Sequence, residues 1–121
     1  MKYIDPLPIN RQEAILMLSS EYPEEIAKAL LSISLHDSDW KWCQDQCLHF
    51  LQYPHPLVRR TAAIGLGHIA RIHRKLDQNK VINRLKMLIE DEKNQSVAGS
   101  AEDALDDIDI FITKFSKQLK S

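Results

Sequence analysis

The residue types most capable of chemistry in this chain are two cysteines and five histidines. Cys43 and Cys47 stand one helical turn apart, which would let two thiolates reach one metal ion, and His36 and His49 lie near them in sequence. No C-x2-C pair and no second ligand pair at a familiar spacing accompanies them. The apolar pattern described below aligns both cysteines with core positions, so their spacing predicts packing rather than metal binding. The histidines, His36, His49, His55, His68 and His73, could exchange protons in principle. None stands in a recognisable order beside a nucleophile and an orienting carboxylate. His73 is expected on a buried helix face and His55 in a turn or cap; Tyr53 and His55 stand at the rim of a contact surface or serve the turn alone. The reading is of a chain with no catalytic residue, no metal and no cofactor.

The elements that position these residues are helices. Three glycines and five prolines in 121 residues, against roughly 12% of such residues in average proteins, leave little room for sandwiches, barrels or glycine-rich phosphate loops. The length predicts a single domain over 1–121. An apolar share of 44% is too high for a disordered chain. No stretch approaches the roughly 18 apolar residues of a membrane span, and the opening Met-Lys-Tyr-Ile-Asp-Pro-Leu-Pro lacks the apolar run of a signal peptide. Two cysteines are too few for a disulfide framework, so a reducing cytoplasm is expected.

The prolines punctuate segments of helical periodicity. A first helix is predicted from Asn10 to Leu18, with Asn10 and Glu13 spaced as a capping box, and a second from Pro23 to about His36. Asp37 or Ser38 can cap a third helix ending near Gln52. The turn Tyr53-Pro54-His55-Pro56 leads into a fourth that ends near Leu76. A fifth spans Gln78 to Glu90 and a sixth runs from about Ser96 to Lys117.

These helices repeat. Cys43, Cys47, Phe50 and Leu51 have the spacing of Val81, Leu85, Leu88 and Ile89, 38 residues later. Val58, Ala62, Leu66 and Ile69 correspond to Val97, Ala101, Leu105 and Ile108 at an offset of 39. A helix-turn-helix unit with a period near 40 predicts stacked helix pairs, with repeats over 39–76 and 78–117 and a degenerate first pair over 10–36. Pro56-Leu57-Val58-Arg59-Arg60-Thr61-Ala62-Ala63-Ile64-Gly65-Leu66-Gly67 resembles the second helix of a HEAT repeat, which typically reads V-R-x-x-A-A-x-x-L-G. Ser96 to Ile108 is a weaker copy with Ala98 in place of the arginine. The resemblance implies an all-α fold, a right-handed stack of antiparallel helix pairs (a short HEAT-like α-solenoid of about six helices), and a binding scaffold rather than a catalyst. Gly65 is expected to face the packed side and permit close approach, whereas Gly67 and Gly99 are expected to leave gaps on the outward face.

The net charge of −1 conceals a segregation. Val58, Ala62, Leu66, Ile69 and His73 share one face of the fourth helix, and Arg60, Ile64, Gly67, Arg71 and Arg74 point the other way. From Pro56 to Leu76 there are five bases and no acid; from Val97 to Thr113 there are five acids and no base. The acids are Glu102, Asp103, Asp106, Asp107 and Asp109, with Ile110 beside them. Two readings stand open. The opposite charges neutralise each other across the helix-helix groove, or they form a recognition surface on which Ile64 and Ile110 are apolar anchors. Same-sign charges at Asp103, Asp106 and Asp107 repel within one helix, which favours recognition. Trp40 and Trp42 near the start of the third helix point in different directions, one expected in the core and one exposed.

A small helical chain with segregated charge is also similar to immunity proteins of bacterial toxin systems, including contact-dependent growth inhibition, some of which resemble short HEAT-like stacks. That resemblance implies a protein partner, a cognate toxin domain. The acidic helix would occupy the basic, phosphate-binding cleft of a nuclease toxin and steer association. A HEAT-like scaffold, adaptor or subunit of a larger complex is the alternative. A more remote one is nucleic-acid binding through Arg59, Arg60, Arg71, Arg74 and Lys75, which the neighbouring acids oppose. The chain itself is expected to be a monomer or weak homo-oligomer.

Overall fold

Six α-helices form among the described residues, and four of them start at a side chain that accepts from a first-turn backbone N–H. The structure, a computed structural model, describes residues 6–114, and no strand occurs among them. In α1 (Arg11–Leu18) the Asn10 side chain accepts from the Glu13 N–H at 2.8 Å. α2 (Pro23–His36) opens on its proline, with Glu24 and Glu25 in the first turn and His36 in the last, which suits the helix dipole.

α3 (Trp40–Phe50) is capped neither by Asp37 nor by Ser38 but by Asp39, whose carboxylate accepts from Trp42 N–H at 3.1 Å. Asp37 instead accepts from the Asp39 N–H at 2.8 Å, an Asx turn that leads into the cap. The helix ends two residues before the expected Gln52. Pro54 disfavours helical geometry at Tyr53, and the chain turns beforehand.

α4 (Pro56–His73) is capped by His55, whose Nδ1 accepts from Leu57 N–H at 3.2 Å. It stops before the expected Leu76 because Arg74 takes the left-handed conformation (φ 55°), while its N–H still reaches the Ala70 carbonyl. His73 is consequently half-buried in the last turn rather than inside. α5 spans Gln78–Asp91, and α6 spans Gln95–Ile108 behind an Asn94 cap that accepts from Ser96 and Val97 N–H. The sixth helix does not continue as a regular α-helix: a π-helical turn, Asp109–Thr113, follows it, and the predicted extension to Lys117 lies partly outside the described residues.

The even helices pack side by side, α2 on α4 and α4 on α6, and each takes its preceding odd helix as a partner. Contacts advance together along neighbouring even helices. Arg60, near the start of α4, reaches Ser96 near the start of α6, and Gly67 faces Ala104 and Asp107 further along. Near the start of α2, Ala27 and Lys28 line a groove with Arg60 and Thr61, and Ser34 meets Gly65 further along. The even helices are therefore parallel to one another.

One apolar cluster extends from Ala14 and Leu18 of α1 to Ile108 and Ile112. It contains Cys43, Cys47, Phe50 and Leu51 and their equivalents Val81 and Leu85, whereas Leu88 and Ile89 are half-buried. Val58, Ala62, Leu66, Ile69, Val97, Ala101 and Ile108 are buried, with Leu105 half-buried. A Cβ at Gly65 would lie 2.6 Å from Ser34 Oγ and 2.8 Å from Cys47 Sγ, so glycine permits the α2–α3–α4 junction.

Polar clamps fix the layers. The side chain of buried Gln44 donates to Asp77 Oδ2 at 2.8 Å and accepts from Asp77 N–H at 2.7 Å, tying α3 to the α4–α5 link. Arg84 donates to the Leu48 carbonyl at 3.0 Å.

Candidate protein-binding face

Helical periodicity places the charged positions of α4 and α6 on the side of the even layer opposite the odd helices, and packing decides how far each reaches solvent. Glu102, Asp103, Asp106, Asp109 and Ile110 are exposed; Asp107 is half-buried against α4. The cause is Gly67, which does not leave an outward gap as its position on the helical wheel suggests. A Cβ there would lie 2.7 Å from Asp107 Oδ2 and 3.4 Å from Ala104 Cα, so the glycine lets α6 close onto α4. Gly99, by contrast, has nothing within 4 Å of its missing Cβ. Burial raises the pKa of Asp107 above its ordinary value; Arg71 opposes this, while Asp103 and Asp106 add to it.

The bases of α4 divide into several environments. Arg59 is engaged by acceptors within the protein. Its Nη2 meets Glu92 at 2.7 Å, and its Nη1 donates to the Tyr53 and Pro54 carbonyls at 2.9 and 2.8 Å. With side chains only 18% and 8% exposed, Arg59 and Glu92 form a buried strut between the α3–α4 turn and the end of α5. This removes one cation from the set proposed for phosphate contact.

Arg71 and Arg74 are exposed; Arg71 Nη2 lies 3.0 Å from His68 Nδ1, and the Arg74 guanidinium sits 5.4 Å from the Phe111 ring centroid. Arg60 and Ile64 are half-buried. Arg60 Nη1 makes a long 3.4 Å bond to Ser96 Oγ, and its Nε is buried with no acceptor among the described residues, an arrangement that costs about 1–3 kcal/mol. Glu102, Asp103 and Asp106 have no ion pair among the described residues, whereas Asp109 meets Lys114 at 3.4 Å. The two charged helices therefore lie side by side, with the acids of α6 mostly left to solvent.

The tryptophans do not join this face. Both are half-buried on α3, rather than one inside and one exposed. Trp42 packs on the edge of the core beside α1: the Arg11 guanidinium lies 3.8 Å from its ring centroid, and Ile15 and Leu18 line the same crevice. Trp40, at the first residue of the helix, packs partly on the core.

Cys43 and Cys47 are free and buried. Cys43 Sγ bonds the Ile33 carbonyl at 3.3 Å and Cys47 lies 3.5 Å from Ser34 Oγ. Burial pushes both thiols up, Cys47 to about 12, so they are neutral packing groups at pH 7. Among the described residues no group of three or more His, Cys, Asp or Glu side chains is placed to hold a metal, and no helix is long and apolar enough to cross a membrane.

One feature escaped the reading of the sequence: a groove of about 530 Å³ between α2 and α4. It is walled by Ala27, Lys28, Leu31, Leu57 and Arg60, with Leu7 at its lip. The available signal was Pro6-Leu7-Pro8-Ile9, an apolar stretch outside any predicted helix.

Among solved structures, the chain is similar to one in the crystal structure of a CDI complex from Cupriavidus taiwanensis LMG 19424. The two share 35% sequence identity with a TM-score of 0.81, over 92% of this chain and 97% of that one. No protein-family model matches the chain, and no curated protein does.

Proposed function

Since this chain belongs to the same family as its counterpart in the Cupriavidus taiwanensis CDI complex, we propose that it is an immunity protein that binds and neutralises the toxin domain of a contact-dependent growth inhibition system. The observation that carries the reading is this likeness over nearly the full length of both chains. A chain that keeps the length and fold of one found in a complex is suited to the same kind of assembly.

The contact surface in this reading is the outer face of α4 and α6. Glu102, Asp103 and Asp106 stand in solvent without ion pairs among the described residues, and their negative potential suits a basic, phosphate-binding cleft. Ile110 and the half-buried Ile64 supply apolar area, and Arg71 and Arg74 border the acids and fix register. The chain then acts by occlusion, as a single HEAT-like binding domain in the cytoplasm, with no reaction of its own.

The test is reconstitution. The purified chain, mixed in equal molar ratio with the toxin domain encoded beside it, is expected to form a stable complex and to abolish nuclease activity on RNA or DNA substrates. Undiminished toxin activity at saturating immunity protein would overturn the proposal.

A further inference from the structure

A second surface, separate from the acidic helix, carries its own recognition chemistry. The groove between α2 and α4 has an apolar floor of Ala27, Leu31 and Leu57 and an apolar lip at Leu7, which is 79% exposed. That lip is held in place. Buried Ser32 donates from Oγ to the Leu7 carbonyl at 2.8 Å, and His36 Nε2 lies 2.9 Å from the Pro6 carbonyl. An exposed leucine tethered through its own backbone is a preformed contact, because the cost of ordering it is met before any partner arrives.

The groove also carries charge. Among the described residues Lys28 and Arg60 line it with the carboxylate of Glu24, which lies in the first turn of α2, where the helix dipole favours it. Arg60 is the decisive residue. It borders both this groove and the smaller one between α4 and α6, where among the described residues it makes the 3.4 Å contact to Ser96 and its Nε meets no acceptor. A guanidinium held this weakly is ready to swing from Ser96 toward the α2–α4 groove, which would bring Nε out of its buried position to meet a carboxylate side-on together with one Nη.

Resting on the immunity reading, we infer that this groove takes an acidic-apolar segment of the toxin, an apolar side chain entering between Leu7, Leu31 and Leu57 while a neighbouring carboxylate binds Arg60 and Lys28. The toxin surface is then bipolar, basic against α6 and acidic against the α2–α4 groove. A phosphate backbone fits this groove less well, since its floor and lip are apolar and Glu24 stands within it.

Titrations of the toxin domain against three variants test this. R60Q is expected to weaken binding about tenfold or more through faster dissociation, and R60K by nearly as much despite keeping its charge, because lysine lacks the fork. L7S, at a position too exposed to matter for folding, is expected to weaken binding several-fold with unchanged thermal unfolding. A D103K/D106K variant is expected to slow association instead, which marks the two surfaces as distinct. If R60Q and L7S bind as the wild type does while D103K/D106K does not, this inference falls and the immunity reading stands. If the wild-type chain does not bind the toxin at all, both fall. Concentration-dependent dimerisation abolished by L7S would assign the groove to a second copy of the chain and overturn the inference.

Discussion

Gly67 of α4 lies so close to Asp107 of α6 that a Cβ on the glycine would stand 2.7 Å from the carboxylate Oδ2. This contact sets the spacing of the two charged helices, and it sets Gly67 apart from Gly99, the other glycine expected on the outward face. A leucine at Gly67 puts its Cβ against the Ala104 backbone and adds three more carbons to a space that the Asp107 carboxylate fills, so G67L is expected to lower the unfolding free energy by about 1–3 kcal/mol. G99A has open space and is expected to raise it by about 0.5–1 kcal/mol, since alanine favours helix over glycine. Denaturant unfolding of both variants measures the contrast.

The Arg59–Glu92 strut predicts strong non-additivity. Removing one member leaves a charge in a mostly dry site, so E92L alone is expected to cost about 3 kcal/mol. The double variant R59M/E92L is expected to be markedly more stable than the sum of the two single changes. Equal, additive losses in the cycle would mean that the bond contributes nothing in solution.

Two aspartates are expected to respond to acid with opposite signs. The side chains of Gln44 and Lys41 hold the Asp77 carboxyl below its ordinary value. Its contribution to stability is present above the unfolded pKa, about 3.9, and is lost as pH falls through the lower folded value. Asp107 is raised, chiefly by burial, so its native form is disfavoured when ionised. That penalty is present above the raised folded value and disappears once pH falls below the unfolded one. D107N is accordingly expected to stabilise the protein at pH 7 and not at pH 3, whereas D77N is expected to destabilise it at pH 7 and to flatten the loss in acid. Unfolding measured across pH 2–8 distinguishes them.

If the proposed immunity function holds, reversing Asp103 and Asp106 to lysine is expected to reduce the rate of association with the toxin domain, and to do so most at low ionic strength. Stopped-flow association at several salt concentrations reads this directly. Unchanged rates would exclude the acidic face as the steering surface.

The helices were legible because their signals are local. Asn10, Pro23, Pro56 and Gly65 act within a turn or in one close contact, and the 38- and 39-residue offsets mark equivalent core positions without reference to the third dimension. What was not legible depends on neighbours. The environment of Gly67 is decided by α6, that of Trp42 by α1, and that of Arg59 by Glu92 on the far side of α5. The same holds for the candidate face. Opposite charges on two helices could be read from the sequence, but whether they pair or stand apart depends on side-chain reach. The α2–α4 groove is made by residues from the chain start and two helices, and no single window contains it.

Because α2, α4 and α6 run parallel, their starts fall along one edge of the sheet-like layer and their ends along the opposite edge. Arg60 and Lys28 lie toward the first edge, while Asp106, Asp107 and Asp109 lie toward the second, where the helix termini already carry partial negative charge. Along α6 side-chain charge and backbone dipole thus point the same way, whereas Glu24 and Glu25 at the start of α2 and Arg71 at the end of α4 offset the dipoles of their own helices. A bipolar partner approaching such a layer experiences a torque as well as an attraction, so it can be turned into register while still in solution.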